Sequence, residues 1–278
     1  MRSSCVAIRC YSVAVMKSRN GRLFLVLWLA GISGVLSLLL VDVNALIAAL
    51  PQPHGSSPPE LPPPALLKLL TVIQPAVLTS FAVLIGIWLA PKVDLHAPVA
   101  EAVAERKPLM PAFLDQFLPG VIAGLFCGAA IVLSWIIAKP FIPVEFLSKA
   151  DEFNRLIPHA VRFLYGGVTE EILLRWGLMT FLVWLAWRVF QRRADPPKAI
   201  YCVAAIVVSS VVFGIGHLPI ASVLAGGLTI PIVVYVITAN SIFGIVAGFL
   251  YWRRGLESAM FAHIFAHVVL IAAIGLAL

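Results

Sequence analysis

Residues 114–138 read "LDQFLPGVIAGLFCGAAIVLSWIIA", a run whose one formal charge, Asp115, stands at its edge. A helix rises ~1.5 Å per residue and the hydrocarbon core of a bilayer is ~30 Å thick, so about 20 apolar residues cross it. Backbone N–H and C=O groups find no water at that depth and must pair within the segment, which dictates a helix. The same criterion marks runs at 23–48, 66–90, 165–189, 199–217, 229–251 and 257–277. The chain is 61% hydrophobic and 12% charged over 278 residues, whereas soluble domains hold roughly 45–50% apolar residues. The fold class expected is therefore all-α, a polytopic transmembrane helical bundle of seven or eight spans. The first run is longer than a signal-peptide core and lacks a cleavage site, so it counts as a span.

The net charge of +7 belongs to the connections. Arg2, Arg9, Lys17, Arg19 and Arg22 precede the first span, and "RVFQRRADPPK" and "YWRRG" follow the fourth and sixth. The connections "PQPHGSSPPELPPP" and "LPIASVLAGGL" carry no Lys or Arg. That alternation predicts a cytoplasmic N-terminus. The basic residues hug span ends and make no separate face, so a nucleic-acid partner is not expected; the bilayer is. Four cysteines, Cys5, Cys10, Cys127 and Cys202, show no C-x-x-C spacing and suggest neither a disulfide framework nor a thiolate metal site.

Along the chain, four segments are expected: a basic arm 1–22, a membrane scaffold 23–138, a mixed-charge interfacial connection 139–164, and a membrane domain 165–278 that carries the chemistry. The proline-rich loop 51–64 reads as an extended spacer. Gly120, Gly124 and Gly128 are four apart, as are Gly244 and Gly248. Small residues at that spacing let helix backbones approach closely, which is a packing role.

Ionisable groups at membrane depth cost at least ~2.5–3.5 kcal/mol each and usually face a cavity with partners. In "GGVTEEILLRWG", Gly166 to Gly177, Glu171 and Arg175 are four apart and share a helix face, so they can neutralise each other. Glu170 is then rotated by ~100° with no cation at helical spacing. An unpaired carboxyl in a partly dry cavity suits general acid–base work. "FGIGHLP" places Phe213 one turn before His217, and "HIFAH" puts His263 and His267 on one face of the last span. Two chemistries follow. Glu170, His217 and His263 could hold zinc and activate a water. Alternatively, Glu170 with His217 deprotonates water while His263 and His267 donate to the developing oxyanion. Both end in hydrolysis of a carbonyl, most naturally a peptide bond brought to the membrane.

The order E-E-x-x-x-R, F-x-x-x-H, H-x-x-x-N/D, here "EEILLR", "FGIGH" and "HIFAH", resembles the CPBP family of CAAX-protease and bacteriocin-processing (Abi) intramembrane proteases, which includes the type II CAAX prenyl endopeptidases. The resemblance covers about 165–270. It implies a membrane-embedded endopeptidase, metal-dependent or glutamic-type, in a bacterial inner (plasma) membrane, acting on a membrane-associated protein or peptide. It makes Glu170 the catalytic glutamate with His217. Glu171, Arg175 and Phe213 become supporting residues, and His263 a metal or oxyanion ligand. His267 departs from the family's Asn or Asp; imidazole also donates a hydrogen bond.

Three other readings compete. A non-catalytic immunity or assembly factor would keep the bundle without the chemistry. A transporter could use intramembrane Glu and His, although no inverted repeat is visible. "GISG", Gly31 to Gly34, matches the rhomboid serine motif, with His267 as its base. Finally, alternating spans place Glu170 and His217 toward one side of the membrane and His263 toward the other, an offset on the order of 10 Å. Helix tilt, a later start to the fourth span or a re-entrant stretch around 252–258 would close it.

Overall fold

The computed structural model describes residues 2–49, 63–192 and 195–276, and every regular element among them is helical. The proline-rich stretch 51–62 lies outside the described residues. In chain order the helices are α1 (Arg2–Ser37), α2 (Val43–Ala49), α3 (Pro64–Leu89), α4 (Pro98–Glu105), α5 (Leu109–Ala138) and α6 (Val144–Leu156). They continue as α7 (His159–Phe190), α8 (Ala199–Gly216), α9 (Leu218–Ala225), α10 (Ile230–Arg253) and α11 (Leu256–Gly275). Seven stretches are long and apolar enough to cross a membrane: Ser18–Leu40, Ala65–Lys92, Leu109–Phe141, His159–Phe190, Ala199–Ala225, Ile230–Arg253 and Leu256–Gly275. The chain is a polytopic all-α membrane protein.

Two span limits differ from those expected. The run 23–48 breaks at Asp42, whose carboxylate accepts the backbone N–H groups of Asn44 (3.0 Å) and Ala45 (3.1 Å). That side-chain cap starts a separate helix, α2, in place of continuing the first. The fourth span begins at His159, not 165, directly after Pro158. Proline at a helix start loses no bond the helix needs.

Small residues position the bundle. Gly120, Gly124 and Gly128 of α5 face α11, where an added Cβ would meet Ser258 O, Ala262 O and Ala266 O respectively. Gly244 and Gly248 of α10 sit against Ser210 and Ile206 of α8 in the same way. On the opposite flank, Thr169 of α7 donates its hydroxyl to Gly31 O (2.7 Å), and Gly34 is covered by Thr169 and Leu164. Trp176 lies over Gly86 and donates its indole N–H to Val83 O (3.3 Å). The scaffold helices thus pack directly on the chemistry-bearing ones. Ser33, by contrast, is exposed and donates its hydroxyl to Ala30 O within its own helix (2.7 Å). The two glycines of "GISG" serve packing, and nothing draws Ser33 to a base.

The 10 Å offset does not appear: His263 meets Glu171 at 2.9 Å, because α11 does not begin level with the end of α7. Tyr251, five residues before α11, is hydrogen-bonded to Thr180 (2.7 Å), and its ring lies 6.4 Å from that of Trp176. Span α7 continues to Phe190. The last helix therefore starts level with the middle of α7, about ten residues short of its end. A helix N-terminus at that depth leaves N–H groups that need partners. Leu256 N–H donates to His96 O (3.0 Å) and Ser258 N–H to Gln116 Oε1 (3.3 Å). Gly255, at φ +137°, makes the turn against Pro98 and Gln116, where a side chain would be both strained and blocked.

Candidate active site

The glutamates lie in an unusual helix. Arg162–Glu170 and Ile172–Met179 are wound as π-helix, with i→i+5 bonding and a wider turn than an α-helix. Thr180 Oγ1 follows the same period, donating to Arg175 O five residues back (3.2 Å). A wider turn lowers the rotation per residue below the ~100° of an α-helix. Adjacent side chains then diverge less, and Glu170 and Glu171 both come within reach of one partner across the bundle.

That partner is His263. Its Nδ1 lies 2.9 Å from Glu171 Oε1, and its Nε2 lies 3.9 Å from Glu170 Oε2. Because a carboxylate only accepts, Nδ1 carries a proton, and in the neutral imidazole Nε2, facing Glu170, is then the acceptor. Glu171 also pairs with Arg175 Nε at 3.2 Å, both side chains being fully buried. Arg175 in turn donates from Nη2 to Gly244 O (3.1 Å), with its guanidinium 5.5 Å from the Phe213 ring and 5.7 Å from Phe243. Aromatic faces on a desolvated guanidinium stabilise its charge. Phe213 further meets His217 edge-on at 4.8 Å and His263 at 5.9 Å.

Burial separates the glutamates. Glu171 is fully enclosed, whereas Glu170 keeps 19% of its side chain exposed. His267 stacks on His263 with ring centroids 5.0 Å apart, and its Nδ1 is buried without a hydrogen-bond partner among the described residues. Gly166 makes room for both rings, since a Cβ there would lie 2.8 Å from His267 Nε2 and 3.7 Å from His263 Nε2. His217, at the junction of α8 and α9, is half-buried and bonded through Nδ1 to Phe213 O (2.9 Å). A carbonyl only accepts, so Nδ1 donates, and in the neutral imidazole Nε2 is the acceptor.

The structure therefore brings Glu170, Glu171, Arg175, Phe213 and His263 into one contact network and stacks His267 on it. His217 joins through Phe213. For zinc, the donor set expected from the sequence, Glu170, His217 and His263, is not assembled: among the described residues no group of three His, Cys, Asp or Glu side chains could hold a metal ion. The bond from its Nδ1 to Glu171 leaves Nε2 as the ring nitrogen of His263 that faces Glu170.

Sequence reasoning missed several residues that set this geometry. Gln116, Ser258, Glu257 and His96 hold the start of α11, and Thr180 with Tyr251 sets its depth. Polar residues at the deep end of an apolar helix, such as "LES" at 256–258, are the signal that could have found them. The role of Gly166 shows only once the imidazoles are seen beside it.

Residues 152–269 match the family model described as Type II CAAX prenyl endopeptidase Rce1-like. Neither the curated proteins nor the solved structures contain a match. The matched stretch holds both glutamates, Arg175, Phe213, His217, His263 and His267, together with every contact that joins them. Over residues 152–269, the chain is similar to the type II CAAX prenyl endopeptidase Rce1-like family.

Proposed function

We propose that the protein is an intramembrane endopeptidase that hydrolyses a peptide bond of a membrane-associated protein or peptide, with Glu170 as general base. The observation that supports this most is the pair of contacts from His263 to Glu171 and toward Glu170, made across helices 92 residues apart in sequence. Glu171, neutralised by Arg175, accepts the Nδ1–H of His263. This fixes the tautomer in which Nε2 faces Glu170. A water hydrogen-bonded to Glu170 Oε2 and His263 Nε2 sits at the apex of a triangle whose base is that 3.9 Å separation, with sides of ~2.8 Å.

In this reading the water oxygen bonds to the substrate carbonyl carbon as its proton passes to Glu170. The carbonyl π electrons move to oxygen, and His267, whose ring hydrogen bonds are not taken up by the protein, donates to that oxyanion. The C=O then re-forms as the C–N bond breaks. The amide nitrogen takes the proton from Glu170 and leaves as an amine, and the new carboxylic acid ionises. His217 supplements Glu170 as acceptor through Nε2. His263 is thereby assigned to the water and not to the oxyanion, because its tautomer makes Nε2 an acceptor.

The test compares membrane-protein fragments by mass spectrometry in cells expressing the wild type or Glu170→Gln. Fragments present with the wild type and absent with the variant, at equal membrane abundance, support the reading. Identical fragment sets overturn it in favour of a binding or assembly factor. Zinc is tested separately: one equivalent in purified wild type, lost with His263→Ala, would call for a metal-dependent mechanism, whereas full activity after exhaustive chelation supports the glutamate route.

A further inference from the structure

Glu257 is a buried acid that the proposed chemistry does not use. It stands at the second position of α11, 8% exposed, six residues before His263. Its Oε1 accepts the backbone N–H of Ala100 (2.8 Å), and its Oε2 has no partner among the described residues. Ala100 is the third residue of α4, so its N–H is one that the helix itself leaves unpaired. The N-cap residue, Ala97, has no side chain able to cap that end, and Glu101 of α4 reaches back only to the Ala97 N–H (3.3 Å). Glu257 thus supplies, from 157 residues away, the acceptor oxygen that a local Asp or Ser would ordinarily provide. The positive end of the helix dipole favours an anion there.

The flanking bonds point the same way. Leu256 N–H is tied to His96 O just before α4, and Ser258 is tied to Gln116 of α5 through its backbone N–H and its hydroxyl (2.9 Å to Oε1, 3.0 Å to Gln116 O). Three successive residues of α11 are therefore fastened to the α4–α5 unit. Glu257 makes the one bond among these that is carried by an acidic side chain.

We infer that Glu257 is a positioning residue: by capping α4 it sets the depth of the last helix in the bundle, and so the height of His263 opposite Glu171 and Glu170. The inference rests on the proposed peptidase reading for its kinetic test, but not for its geometric one. Displacing a reacting group by about 1 Å can cost ~10²-fold in rate. Glu257→Ala is expected to lower kcat at least tenfold while KM stays within twofold, since substrate-binding surfaces are untouched. Glu257→Gln keeps a carbonyl oxygen for Ala100 N–H and is expected to restore kcat to within a few-fold of wild type.

The geometric readout is the distance distribution between spin labels introduced as non-natural amino acids at positions 190 and 268, which lie on α7 and α11 and are both exposed. It should broaden or shift in Glu257→Ala and stay as wild type in Glu257→Gln. A folded Glu257→Ala protein with wild-type kcat, an unchanged distribution, or Gln as damaging as Ala would each overturn the inference. Should Glu257→Ala fail to fold, Glu257→Asp, which withdraws the carboxylate by one methylene, takes its place with the same expectations. If the wild type cleaves no peptide, the peptidase reading fails, and the distance distribution still decides this one.

Discussion

The last helix has two faces built by different rules. Toward α5 it presents backbone: Ser258, Ala262 and Ala266 carbonyls lie under Gly120, Gly124 and Gly128, a contact of small surfaces at close approach. Toward α7 it presents His263 and His267, which meet a π-wound helix carrying two acids and a buried arginine. The first face works by close approach of small surfaces, so along it helix position is set by van der Waals fit, with the Ser258–Gln116 bonds fastening its start. The second face works by pairing charge and hydrogen bonds, which specify which atoms meet. The difference teaches that one helix can be placed by its apolar face and aimed by its polar one.

The largest expected effects strike the polar face. His263→Ala removes the Nε2 partner of Glu170 and leaves Glu171 without its imidazole. We expect kcat to fall by ~10²–10⁴-fold, the range for losing a general acid–base group, as measured on a purified peptide substrate in proteoliposomes. A loss under threefold would break the comparison, because the polar face would then be structural only. Next comes Arg175→Met, which strands a fully buried Glu171 without its cation. Breaking a buried pair from one side costs about 3–5 kcal/mol, so thermal unfolding in detergent should show a large drop in Tm. A wild-type Tm would mean that Arg175 does not compensate Glu171.

The packing face should respond less steeply and without specificity for charge. Gly124→Leu forces a side chain onto Ala262 O and Phe265, and overpacking of this kind costs about 1–3 kcal/mol. We expect a lower Tm and a moderate loss of kcat as α11 is pushed away from α5. An unchanged Tm would show that the two helices are not in close contact.

The smallest effect concerns the loop that holds the start of α11. The hydrogen bond with Glu101 raises His96 to about 9, against burial, which pulls it down, and Asp94 adds to the rise. Burial pushes Glu101 up, but the His96 hydrogen bond and the Ala97 N–H outweigh it and hold the carboxylate below its ordinary range. A histidine raised above its unfolded value of ~6.5 stabilises the fold fully below that pH, and the contribution is lost as pH rises through about 9. The Tm difference between wild type and His96→Asn should therefore be widest near pH ~6 and close by pH ~10. A gap that grows with pH would reverse the assignment.

Much of the packing face was legible in the sequence. The glycine spacing in α5 and α10 named the contact surfaces correctly, because close approach needs only small residues at one period. The spans were also readable, within limits set by local chemistry such as the Asp42 cap and Pro158. The polar face was legible only within each helix. Spacing of four announced the Glu171–Arg175 pair and the shared face of His263 and His267. It could not announce that Glu171 also holds His263, since that contact joins two helices. Nor could it place α11 in depth. Counting residues assumes each span starts at a membrane surface, whereas His96 and Gln116 supply partners that let this one start inside. The π-winding was likewise invisible, since glycine pairs are compatible with either helix type.

Glu170 carries the central claim, and it differs from Glu171 in being partly exposed and in having no arginine paired with it among the described residues. The most direct measurement is the turnover of a membrane-associated peptide by purified Glu170→Gln in proteoliposomes, set beside its Tm. The account predicts a Tm close to wild type and a kcat lower by ~10²–10⁴-fold. Wild-type turnover by a folded Glu170→Gln protein would contradict it.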